Sequence, residues 1–162
     1  MKKIALVSLA MLFTQSVFAN TATSAPSLVG DWLCEATLSY EGGGITQVKN
    51  RLSYQPSGWA SEVVQVNRYH NGALQATTNI RLGYQWELLG GRQKISNMMI
   101  DVYEVYDHVT GKALGFGEAA VLKQNLLNQY QQDPWQTIAF VNDHMHQYIA
   151  DDGSKGVCVR ES

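Results

Sequence analysis

The sequence predicts an all-β domain: an antiparallel up-and-down β-barrel of about eight strands with one α-helix. Three observations predict it. Beyond residue 28, apolar and polar residues alternate with period two over most of the chain, as half-buried strands require. Clusters of Gly, Asn, Asp and Pro punctuate those stretches at hairpin spacing. The two cysteines, Cys34 and Cys158, stand near the two ends of that region, where a bridge ties the first strand to the last.

The 162 residues open on Met1-Lys2-Lys3, an apolar run over 4–13 and the small residues Val17 and Ala19. That layout reads as a secretory signal peptide over 1–19, cleaved on export to the periplasm or the exterior. Residues 20–27, rich in Thr, Ala and Ser, read as a flexible leader, and 28–162 as a single barrel domain. The net charge of −2 becomes −4 without Lys2 and Lys3, which argues against nucleic acid as a partner. No later apolar run approaches the roughly 20 residues of a membrane span.

In the first strand Trp32, Cys34, Ala36, Leu38 and Tyr40 share a face. Glycines 42–44 turn the chain into a second strand over 45–54, with Val48, Leu52 and Tyr54 on one side. Pro56 and Gly58 precede a third over 59–69, and Asn71-Gly72 a fourth. There Leu74, Ala76, Thr78, Ile80, Leu82, Tyr84, Trp86 and Leu88 fill every second position, which no helical period sustains. Such a length predicts a bend or bulge, placed at Gly83. A fifth strand over 93–106 carries apolar residues on both faces, which reads as a strand covered on both sides. A loop over 107–117 leads to an amphipathic helix over 118–131, where Leu122, Leu126 and Tyr130 recur at four-residue spacing. Short strands over 135–141, 145–150 and 157–161 complete the chain.

In an oxidising compartment two cysteines read as one disulfide; two buried free thiols are the alternative. If Cys34 faces Cys158 across antiparallel strands, the same register puts Trp32 opposite Arg160, a cation–π pair that closes the barrel. The alternative leaves Arg160 as a solvated residue near the end of the chain. Gly30-Asp31-Trp32, with a late-strand Arg160, resembles the Gly-x-Trp signature and closing arginine of the lipocalins and the wider calycin group. The resemblance covers two short terminal stretches and the strand count, and it implies a cup that binds small, mostly apolar ligands.

The chain has no Gly-x-Ser-x-Gly elbow and no Gly-rich phosphate loop before a helix, so a non-enzymatic role is expected, without a cofactor. His144 and His146, two apart, with His108 in a distant loop, form a minor candidate metal set. Tyr40, Leu82, Tyr84, Trp86 and Tyr103 are the expected lining of a ligand cup, which needs roughly 300 Å³. The function expected is binding of a small hydrophobic or amphipathic molecule. The alternative is an envelope protein-interaction factor, such as an inhibitor, chaperone or accessory subunit, with a packed barrel core.

Overall fold

A computed structural model describes residues 27–132, 135–150 and 153–162. The expected signal peptide over 1–19, and the leader up to residue 26, lie outside the described residues. Five long strands come first: β1 (Gly30–Tyr40), β2 (Gly44–Tyr54), β3 (Trp59–His70), β4 (Ala73–Leu89) and β5 (Arg92–Asp107). Each pairs antiparallel with the next. A two-residue strand, β6 (Lys112–Ala113), folds back on the end of β5. Then come α1 (Phe116–Gln132), β7 (Trp135–Asn142), β8 (Met145–Ala150) and β9 (Lys155–Arg160).

The ring closes through β5–β7, β7–β8, β8–β9 and β9–β1, all antiparallel. Eight strands therefore form an up-and-down barrel, the architecture that period-two patterning and hairpin turns specify. The closing register is the one the cysteines require: Cys34 faces Cys158 and Trp32 faces Arg160. The disulfide Cys34–Cys158 joins positions 124 residues apart, and both cysteines are buried.

The barrel wall is uneven. β5 has 16 residues, whereas β7, β8 and β9 have 8, 6 and 6. β5 and β7 pair from Arg92↔Thr137 to Lys94↔Trp135, so among the described residues the middle of β5 pairs with no strand on that side. There α1 packs against β5, with Leu126, Leu127 and Tyr130 on the buried cluster. The helix starts at Phe116, two residues before the expected 118, and the Ala119 amide donates to Gly115 O at 3.0 Å. Glu118 in its first turn complements the helix dipole.

Two expectations about β4 and β5 need correction. The irregularity expected at Gly83 lies on the partner strand: β4 runs unbroken, and the register shifts where β5 carries the extra residues Asp101 and Asn97. Asn97 takes a positive φ of 50°. Gly83 instead lies beneath the Trp59 indole. Those two bulges also explain the double-faced pattern of β5. Each extra residue resets the alternation, so Ile95, Met98, Ile100 and Tyr103 all pack on the buried cluster without two-sided cover.

Candidate functional site

The alternation gathers one set of side chains inside the ring. The inward faces of β1 and β2 bring Trp32, Cys34, Asn50, Leu52 and Tyr54. β3 and β4 bring Glu62, Val64, Ile80, Leu82 and Tyr84. β7, β8 and β9 bring Gln136, Ile138, His146, Tyr148 and Cys158. Between them is a cavity of about 230 Å³, bounded on the helix side by Leu126 and Tyr130. It falls short of the roughly 300 Å³ expected of a ligand cup, which counts against a large ligand, and exceeds the ~150 Å³ that holds benzene.

One end is sealed. The Arg160 guanidinium lies 4.3 Å above the Trp32 ring centre. It donates to Val29 O (2.6 Å), Ser27 O (2.7 Å) and Asp143 O (3.0 Å). Trp32 Nε1 donates to Leu28 O at 2.6 Å. Gly30 is required here: a Cβ would run into the Arg160 guanidinium, and the backbone has φ 126°. His146 stands edge-on to Trp32 at 4.4 Å, next to the disulfide. Burial, and then the Arg160 charge, push its pKa down to about 4, so its ring is neutral at ordinary pH.

The cavity wall carries a chain of polar groups. Gln136 Nε2 donates to Gln93 Oε1 at 2.5 Å, and Gln93 Nε2 to the Tyr54 hydroxyl at 3.2 Å. The Tyr54 and Tyr84 hydroxyls lie 3.5 Å apart. Tyr84 lies beside Glu62 and lowers its pKa, and Asn50 Nδ2 donates to Glu62 Oε1 at 2.6 Å. Gln93 is fully buried, and it joins β5 to β7 across their short seam. Desolvation pushes Glu62 up to about 7, against the opposing pull of the Asn50 and Tyr84 hydrogen bonds. Burial also pushes Tyr54 and Tyr148 up to about 12 and raises Tyr84 and Tyr130, so all four phenols stay protonated. Tyr148 fits because Gly156 is its cross-strand neighbour; a Cβ there would occupy the Tyr148 ring.

Of the five residues expected to line a cup, Leu82 and Tyr84 bound the cavity. Tyr40, Trp86 and Tyr103 do not. Tyr40 stands at the far end of β1, beyond the reach of β9, and is 57% exposed. Trp86 turns its ring edge to Tyr54 and donates from Nε1 to Trp59 O at 3.2 Å. Tyr103 packs on the buried cluster without reaching the cavity. The three histidines are not brought together as one ligand set: His146 is buried, His144 is in the preceding turn, and His108 Nε2 lies 2.9 Å from Thr77 Oγ1. Among the described residues, the potential metal-ligating atoms that do meet are those of Cys34, Cys158 and His146, and the disulfide occupies both sulfurs.

Sequence reasoning missed Asn50, Glu62, Tyr130 and Tyr148. The signal for the first two was their parity: Asn50 lies between Val48 and Leu52, and Glu62 between Ala60 and Val64, all inward positions. Models of known protein families give no match to the chain, and no curated protein matches its sequence.

Proposed function

We propose that this chain is an exported, non-enzymatic binding protein that holds one small amphipathic molecule inside its barrel. The observation that carries the reading is the cavity of about 230 Å³, whose lining combines aliphatic side chains with a run of polar ones that ends at Asn50 and Glu62. Val64, Ile80, Leu82 and Leu126 receive the apolar body; Asn50 and Glu62 receive the polar end. Scaled from the ~150 Å³ benzene site, the volume suits one ring with a short substituent, roughly ten non-hydrogen atoms. The lipocalin-like Gly30–Trp32–Arg160 constellation supports a cup rather than a solid core. The disulfide suits an oxidising compartment, as the signal-like residues 1–19 require.

Native mass spectrometry of gently purified protein tests this. The reading expects an adduct of roughly 100–200 Da, as about ten non-hydrogen atoms imply, which disappears in Val64→Phe. Only the bare mass, before and after incubation with one-ring amphiphiles, counts against it.

A second reading, an envelope protein-interaction factor, has one observation in its favour. Phe116 and Val121 at the start of α1 are 92% and 60% exposed. Exposed apolar side chains of that size suit a protein contact. It predicts a co-purifying protein that Phe116→Ser releases.

A further inference from the structure

Glu62 is an acid inside a cavity that supplies it no cation. Neither Lys nor Arg lines the cavity, and the one imidazole there, His146, is held neutral. It accepts an amide N–H from Asn50 at 2.6 Å, while the nearby Tyr84 hydroxyl donates to Tyr54. Beside it, Asn50 Oδ1 is buried and accepts no hydrogen bond. Asn50 has turned its N–H toward the carboxylate, which leaves its own oxygen as an unfilled acceptor at the same corner. A buried acceptor without a donor is costly, and a half-buried carboxylate that meets no cation inside the cavity is disfavoured as the ion. The corner therefore has an unfilled acceptor and, whenever Glu62 is ionised, a deficit of positive charge.

Resting on the reading of the cavity as a ligand site, we propose that its ligand is an organic ammonium, a protonated amine on a single-ring or similarly small apolar body. An ammonium carries three donors and one positive charge. One N–H goes to Glu62 and another to Asn50 Oδ1, which fills both deficits with one group. Tyr54, Tyr84, Tyr130 and Tyr148 also line the cavity, and aromatic rings attract a cation. The apolar body then lies against Val64, Ile80 and Leu82. A carboxylate ligand would meet Glu62 as a like charge, and a neutral alcohol would leave one acceptor empty. Glu62, its pKa raised in the empty cavity, loses its proton when the ammonium arrives.

The test is isothermal calorimetry on the disulfide-intact protein at neutral pH with three probes of one shape: 2-phenylethylamine, 2-phenylethanol and phenylacetate. The ammonium assignment expects the amine to bind at least about tenfold tighter than the alcohol, with phenylacetate weakest. Glu62→Gln should erase the preference for the amine while leaving the alcohol within about twofold. If the alcohol binds as tightly as the amine, or phenylacetate more tightly, the ammonium assignment is wrong and the ligand cavity stands. If none of the three binds, the ligand-site reading falls with it. The probe comparison on the unaltered chain decides the matter even if Glu62→Gln does not fold.

Discussion

The guanidinium carbon of Arg160 lies 4.3 Å from the centre of the Trp32 ring, where the last strand of the ring meets the first. The same side chain binds the carbonyls of Ser27, Val29 and Asp143, so it fastens the entry segment and the β7–β8 turn to one end of the barrel. Lysine cannot span three carbonyls with a planar fork. Arg160→Lys should lower stability by about 2 kcal/mol, the sum of a cation–π contact and charge-assisted hydrogen bonds. Urea denaturation measures the loss. Faster amide exchange at Glu161, whose N–H donates to Asp31 O, locates it.

The disulfide spans 124 residues, nearly the whole domain. Its chief effect is on the unfolded chain, which it cross-links end to end. Cys34→Ser with Cys158→Ser should cost about 2–4 kcal/mol in denaturant titrations. Labelling of unfolded, unreduced protein should find no free thiol.

Two groups facing the interior set opposing pH slopes. Glu62 goes from 4.5 in the unfolded chain to about 7 in the fold. Its contribution is whole below pH 4.5 and is lost as pH rises toward 7, by on the order of 3 kcal/mol. It faces Asn50 and Tyr84, with Tyr54, Tyr130 and Tyr148 near, and all four phenols stay neutral through that range. His146 goes from 6.5 to about 4, among Trp32, Phe140 and the Arg160 charge. Its contribution is whole above pH 6.5 and is lost as pH falls toward 4. The intact protein should therefore show a plateau of stability between these values. Glu62→Gln removes one slope, so its melting temperature should climb from pH 4 to 6.5. A variant with the same flat profile as the parent would contradict this assignment.

Val64 is buried on β3 and lines the cavity. Val64→Phe fills much of the empty space. The fold should persist with stability within about 1.5 kcal/mol of the parent, because added contacts offset strain. Uptake of one-ring amphiphiles should cease. Circular dichroism and calorimetry check the two halves.

The ring closure was legible in the sequence because it depends on local period and on two cysteines whose pairing fixes a register. Trp32 and Arg160 followed from that register without further information. The interior was less legible. A polar residue in a strand reads as solvent-facing, so Asn50 and Glu62 escaped notice although their parity matches Leu52 and Val64. Aromatic size suggested Tyr40 and Trp86 as lining, but position along the strand decides that, and Tyr40 lies beyond the short β9. In β5 the bulges at Asn97 and Asp101 mimic two-sided burial, and nothing in composition separates the two. Tyr130 and Tyr148 reach the cavity only through tertiary packing of α1 and the small Gly156.

The central claim is that the interior is a cup for one small amphipathic molecule. Methyl-resolved NMR tests it most directly, with 2-phenylethanol and 2-phenylethylamine as probes. A cup requires that at least one probe saturably shift the inward methyls of Val64, Ile80, Leu82 and Leu126, while the exposed Val63, Val157 and Val159 stay still. Inward methyls unmoved by both probes, or shifts confined to the outer valines, would contradict it.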